Sequence, residues 1–289
     1  MRFRVALAAI PLVAFAAVFG ASYFYYARES EAGEPTGRIA FNTRDALWLM
    51  DANGSNRELL DRSPQGFAHA PAWAPDGSEV AFVRSIGDVN GIFVIDLEST
   101  QERQISPDGV APEWSPDGSR LAYVAPDGLA LMNPDGTDVT PLGVRGDCPV
   151  WSPDGQEVAY CSVEGESSQE DDLYVMSADG SERRQLTDDP GIEDPVAWSP
   201  DGQQIAFFSR RTTGGDTYLV DVDGRNVVQL TGEPGAQVAG AWLPDGRIVL
   251  ASYPPGAELA DWYLVDPDGG ERTSLPQLDG ALDPIAWLP

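Results

Sequence analysis

Three aspartates, Asp147, Asp194 and Asp283, and the only histidine, His69, each stand four residues ahead of a tryptophan. Val110 and Val238 hold the same place before two further tryptophans, and Glu193 adjoins Asp194. Carboxylates gathered around one opening raise each other's pKa and attract a cation, either a metal ion or an Arg or Lys side chain of a partner. Two of the aspartates precede a proline, in Asp194-Pro195 and Asp283-Pro284, and such a pair also starts a turn on its own account. Little other catalytic material is available. A Ser–His–Asp relay needs an imidazole in reach of its serine, and His69 would have to serve without any Gly-x-Ser-x-Gly string. His69 therefore reads as structural or solvated. Lysine is absent, so no phosphate-binding loop with a Lys is present. One His and two Cys cannot complete a zinc site of the usual donors without carboxylates, and no metal ligands are assigned. Asp51-Ala52-Asn53-Gly54 and Asp221-Val222-Asp223-Gly224 resemble calcium loops in their alternate oxygens, yet the distant bidentate Glu is missing. Turn chemistry accounts for them.

The two cysteines, Cys148 and Cys161, flank one hairpin. A two-residue turn at Asp154-Gly155 sets them opposite each other, with Cα atoms ~4.5 Å apart, near the short limit for a disulfide. We expect that disulfide in an oxidising compartment. A glycine bulge at the turn would instead shift the register by one and set them diagonally.

The elements that position these residues come from a repeat. Ala72-Trp73-Ala74-Pro75-Asp76-Gly77 recurs as Glu113-Trp114-Ser115-Pro116-Asp117-Gly118, and again around Trp151, Trp198 and Trp242. A sixth copy, Ala286-Trp287-Leu288-Pro289, is partial, and the tryptophans recur every 37–47 residues. That period is one four-stranded propeller blade. Pro-Asp-Gly is a turn, followed by strands such as Val80-Ala81-Phe82, Leu173-Tyr174-Val175-Met176 and Arg184-Gln185-Leu186-Thr187. The C-terminal Trp287 copy stops where Arg38-Ile39-Ala40-Phe41 continues it, so the sixth blade takes one strand from the C-terminus and three from the N-terminus. The fold class is all-β, a closed six-bladed β-propeller over residues 37–289, with the Trp strand of each blade innermost and the residue four before it near one rim.

The Trp-Ser-Pro-Asp-Gly hairpin, followed by Ile-Ala-Phe, Tyr-Val-Met and Gln-Leu-Thr strands, resembles the TolB-type propeller repeat. The periplasmic TolB protein carries an α/β domain ahead of its propeller. This chain has an anchor and a tether there, so the resemblance covers the propeller half and does not bring the Pal-binding role with it. What it implies is a non-catalytic, extracytoplasmic binding or scaffold module that holds a protein, peptide or glycan on the propeller end face. The candidate ligand-binding residues are His69, Asp147, Glu193, Asp194 and Asp283. The alternative is a carboxylate- or metal-dependent hydrolase or lyase at the channel mouth. No cofactor is expected beyond, at most, a divalent cation in the channel.

Residues 5–26 carry no charge, follow a head containing Arg2 and Arg4, and end in Tyr23-Phe24-Tyr25-Tyr26. Twenty-two residues suffice to cross a ~30 Å hydrocarbon core. Residues 1–26 thus read as a transmembrane signal-anchor with the remainder outside, residues 27–36 as a tether, and the competing reading is a cleaved signal peptide with a secreted or periplasmic product. The net charge of −28 excludes a nucleic-acid partner, because phosphate binding needs a basic patch, and favours cationic ones. The propeller is expected to be monomeric.

Overall fold

The computed structural model describes residues 37–43, 46–51, 55–61, 66–87, 89–162, 171–189, 191–257, 260–270, 272–275 and 285–288. The proposed anchor and tether, and Asp283, lie outside the described residues. Among those described, no helix is long and apolar enough to cross a membrane. The strands form six four-stranded antiparallel sheets. Blade 1 orders β24 (Ile285–Leu288), β1 (Arg38–Thr43), β2 (Ala46–Asp51) and β3 (Glu58–Asp61). Blade 2 is β4 (Phe67–Trp73), β5 (Glu79–Ile86), β6 (Val89–Asp96) and β7 (Glu102–Ser106); blade 3 is β8 (Val110–Trp114), β9 (Leu121–Ala125), β10 (Gly128–Met132) and β11 (Thr140–Pro141). Blade 4 is β12 (Gly146–Trp151), β13 (Glu157–Ser162), β14 (Asp172–Ser177) and β15 (Arg184–Gln185); blade 5 is β16 (Glu193–Trp198), β17 (Gln204–Ser209), β18 (Asp216–Asp221) and β19 (Val228–Gln229). Blade 6 is β20 (Ala236–Trp242), β21 (Ile248–Tyr253), β22 (Asp261–Val265) and β23 (Arg272–Leu275). The Trp strands β24, β4, β8, β12, β16 and β20 follow one another in contact, as an inner ring requires.

Each blade buries both faces of its second strand against neighbours, which is why Val80-Ala81-Phe82-Val83 and Ile205-Ala206-Phe207-Phe208 are continuously apolar and buried. Cross-strand aromatics stack within blades: Phe82 on Phe93, Tyr160 on Tyr174 and Phe207 on Tyr218, with centroids 5.7–6.0 Å apart. The tryptophans join blade to blade. The Trp151 indole N–H donates to the Glu113 carbonyl at 3.3 Å, and that of Trp198 to the Val150 carbonyl at 3.1 Å. In blade 6 the geometry differs: Trp242 donates to the Gly246 carbonyl of its own turn.

The Ser-Pro-Asp-Gly turns are held by their own side chains. Ser152 Oγ donates to Asp154 Oδ1 at 2.7 Å, Asp154 Oδ1 accepts from the Gln156 N–H, and Ser152 Oγ accepts from the Glu157 N–H. Blades 3 and 5 repeat this at Ser115 with Asp117 and at Ser199 with Asp201. Gly118, Gly155 and Gly202 take φ of 68–71°, the left-handed region open to glycine at no steric cost. Each lies over the proline of the preceding turn, with 3.5–3.7 Å to Pro75, Pro116 and Pro153 from an added Cβ. The calcium-like string Asp221-Val222-Asp223-Gly224 is a turn as expected, with Asp221 accepting from Gln204 and Asn226; residues 52–54 of the other string lie outside the described residues, and Asp51 beside them accepts from Ser55 and Asn56. Bidentate pairs of Arg103 with Glu79 and of Arg184 with Glu157 join the outer strand to the second strand in blades 2 and 4.

The ring closes as the repeat predicts, with Arg38 opposite Leu288 and Phe41 opposite Ile285. Deleting residues 284–289 should expose the β1 edge and lower Tm by ~10 °C or more, given about 2–4 °C per kcal/mol for a domain of this size. A truncated chain that melts with the full one, by calorimetry, would contradict closure through β24.

Candidate functional site

The residues four before each tryptophan sit on one rung of the ladder in all five blades where they are described. His69 pairs with Val83, Val110 with Val124, Asp147 with Cys161, Asp194 with Phe208 and Val238 with Ala251. Each inner strand carries a bulge between that rung and its tryptophan. In blades 2–4 the bulge holds a left-handed non-glycine residue, Ala70, Ala111 or Cys148, with φ of 48–52°. Such a conformation costs roughly 1–2 kcal/mol, and it re-aims the start of the strand.

The bulge corrects the cysteine register. Asp147, not Cys148, lies opposite Cys161, and the shift comes from the bulge at Cys148 itself rather than from a glycine at the turn. Both cysteines are buried thiols in this structure. Their sulfurs and a carboxylate oxygen of Asp194 lie within 4.8 Å of one another. Cys148 Sγ is 4.0 Å from Asp194 Oδ1. Gly146 permits the close approach of β12 to β13, since an added Cβ would stand 2.7 Å from the Cys161 carbonyl oxygen. The Cys148 N–H donates to Asp147 Oδ1 at 2.8 Å.

Asp147 and Asp194 are therefore brought together across the seam of blades 4 and 5, and Asp171 joins them. Asp171 forms a parallel bridge to Ile192, and its carbonyl accepts from the Glu193 N–H at 2.9 Å. Burial pushes the Asp194 carboxyl up to about 7; a Cys161 hydrogen bond opposes the rise, and Asp147 and Asp171 add to it. Burial also raises Asp147 and Asp171, the latter with help from the Asp147 charge. Hydrogen bonding to Cys161 and burial push the Cys148 thiol well up. The Cys148 contact lowers the Cys161 thiol, but burial prevails and the thiol rises. A cavity of about 390 Å³, lined by Asp147, Cys161, Asp171 and Arg145 among others, adjoins the group.

The other two described candidates stand apart from this cluster. Glu193 is fully buried and ion-paired with Arg211, which also reaches Asp189 at 2.9 Å and lies over the Tyr218 ring. Arg211, from the turn after β17, thus supplies a cationic partner for Glu193. His69 lies in blade 2, stacked on Phe67, with Nε2 2.9 Å from Ser85 Oγ. Ser85 Oγ donates to Asn90 Oδ1 at 2.5 Å, so His69 Nε2 is the donor to Ser85. That is the reverse of the polarity by which an imidazole activates a serine. Burial lowers the His69 pKa, keeping the ring neutral.

Glu113 was not singled out by sequence reasoning. It precedes Trp114, where other blades have Ala72, Val150, Ala197 and Ala241. It is 2% exposed and pairs with Ala122, which packs in the Trp151 cluster, so its side chain faces the seam of blades 3 and 4. Glu113 Oε1 is buried with no hydrogen-bond partner among the described residues, and burial pushes its pKa well above 4.5. The signal was a charged residue at a position otherwise small and apolar.

A family model described as the TolB beta propeller domain matches residues 108–255, slightly more than half of the chain. The Tol-Pal system protein TolB of Albidiferax ferrireducens is 29% identical over 90 residues, 30% of this chain and 21% of that protein. The chain thus matches about a fifth of that relative's length. The TolB structure from Acinetobacter baumannii superposes with a TM-score of 0.73 at 22% identity, covering 88% of this chain and 67% of that one. A putative TolB from Agrobacterium tumefaciens superposes at 0.67 with 22% identity, covering 89% and 100%. These two structures carry the likeness of fold.

The folded state holds the Glu113 proton more tightly than the unfolded chain, so stability present below pH 4.5 is lost as pH rises toward the folded pKa. Glu113→Ala should raise stability at pH 8 by ~1–3 kcal/mol, and the gain should shrink toward pH 4. Calorimetric melts at the two pH values check this; an equal effect at both would remove ionisation as the cause.

Proposed function

Because the chain belongs to the TolB beta propeller domain family, we propose that it is a non-catalytic binding or scaffold module of the cell envelope, held at the membrane by residues 5–26, that engages a cationic segment of a protein or peptide. The observation that carries this reading is the carboxylate group of Asp147, Asp171 and Asp194 where blades 4 and 5 meet, beside a cavity of about 390 Å³. Arg145 and Arg210 stand near the group, yet burial raises all three carboxyls, and repulsion adds to the rise at Asp171 and Asp194. A partner's Arg or Lys placed there gains from charge that is already desolvated. The net charge of −28 extends the attraction beyond the contact and speeds encounter at low salt.

The hydrolase or lyase reading has less support. His69 is committed to Ser85 as a donor, and Glu193 to Arg211. The binding reading needs neither of them to move a proton.

Two measurements test the proposal. Crosslinking of the intact, membrane-held chain followed by mass spectrometry should recover a partner whose yield falls about tenfold or more with Asp147→Asn combined with Asp171→Asn, and falls with added salt. Equal recovery by the variant would remove the carboxylate group from the interface. The full chain should also stay in the membrane fraction after an alkaline wash and leave it with detergent. Release by the wash alone would contradict the anchor.

A further inference from the structure

We propose that Cys148, Cys161 and Asp194 form a binding site for a soft divalent cation of the zinc type, clamping blade 4 to blade 5. The inference shares Asp194 and the adjoining cavity with the partner reading but does not depend on it, and it rests on the arrangement of three donors from three strands. Cys148 comes from the bulge of β12, Cys161 from β13 and Asp194 from β16 of the next blade. Their donor atoms lie within 4.8 Å of one another, and all three residues are buried. Zinc–sulfur bonds of ~2.3 Å place the corners of a tetrahedron ~3.8 Å apart. The donors thus need to close by about an ångström at most, well within the adjustment of side-chain rotamers.

Three protein donors leave a fourth position. The cavity of about 390 Å³ reaches the group through Asp147 and Cys161. Its wall includes Asp171, whose Oδ1 is buried with no hydrogen-bond partner among the described residues. A water in that cavity, or Asp171 itself, completes four-coordination, and the cavity is the path by which an ion arrives. Charge favours the same conclusion. Two thiolates and a carboxylate carry three negative charges, which a divalent ion reduces to one. The protons displaced from the ligands go to solvent. Thiolate donors select zinc over magnesium or calcium, which take oxygen. Asp147 accepts the Cys148 N–H and so fixes the bulge that presents the Cys148 sulfur.

The same two sulfurs can instead join as a disulfide, through loss of two electrons and two protons to an oxidant. Their separation must then shrink to ~2.05 Å. The bulge opposes this, because it removes Cys148 from the rung opposite Cys161.

Cobalt titration of the full chain, reduced, metal-free and in detergent, separates these states. One equivalent of Co²⁺ should bind with thiolate-to-cobalt charge-transfer absorption and tetrahedral d–d bands, and Zn²⁺ should displace it. Bound zinc should slow modification of both thiols by a disulfide reagent. Cys148→Ser with Cys161→Ser should abolish the charge-transfer band, and Asp194→Asn should weaken binding by about tenfold or more. If the double serine variant fails to fold by circular dichroism, Asp194→Asn and thiol protection in the unmutated chain decide. A chain isolated as a disulfide that takes up cobalt after reduction supports the site. A reduced chain with no charge-transfer band, or a band that survives loss of both cysteines, overturns it.

Discussion

A β-blade has two faces and cannot cover either of them alone. In this chain the tryptophans that end the inner strands of blades 4 and 5 help one blade cover the next. Trp151 and Trp198 place their rings in the seam and donate their indole N–H to the backbone of the blade before. The bond satisfies a polar atom that burial would otherwise penalise, so the largest apolar side chain of the repeat can be wholly enclosed. The turn that follows completes the joint. Its serine and aspartate satisfy each other and the backbone, leaving glycine to rest on the neighbouring proline. The bond is made at Trp151 and Trp198, whereas Trp242 turns to its own Gly246 carbonyl and Trp114 Nε1 is buried with no hydrogen-bond partner among the described residues, so apolar burial of the ring is the part of the joint common to these blades.

The rung four residues before each tryptophan shows what happens when a repeat is used asymmetrically. The same rung is His69 in one blade, valine in two and aspartate in Asp147 and Asp194. Blades 4 and 5 are adjacent, so two aspartates of the ring meet at one seam, and Asp171 closes in on them through its bridge to Ile192. A cluster of this kind cannot be fully ionised without cost. Some of its members keep protons, or a cation takes their place.

Much of this was legible in the residues. The tryptophan period fixed blade number, and the match of Trp287 with Ile39 fixed closure. The rung itself could be counted from Trp, because each described blade loses one residue to a bulge at nearly the same point. The bulge was not legible. Cys148 is neither Gly nor Asn, and nothing in its neighbours announces a left-handed residue, so the hairpin count put it opposite Cys161. Arg211 could not be matched to Glu193 either, because the two meet through the fold of blade 5 and share no spacing that marks ion pairs. The joining of Cys148, Cys161 and Asp194 crosses a blade seam, and hairpin arithmetic works only within one blade.

The pairing of Arg38 with Leu288 has a consequence for the order in which the molecule can assemble. Blades 2 to 6 are contiguous in the chain and can form as they emerge. Blade 1 cannot, for its inner strand arrives after every other blade has been made. Until then β1 presents an open row of backbone donors and acceptors, and the ring is an arc. Closure spans the greatest loop in the protein, so it carries the largest entropic delay and is the natural last step of folding. Through that interval the arc waits with its most adhesive edge uncovered, and another copy can offer the missing strand before its own arrives.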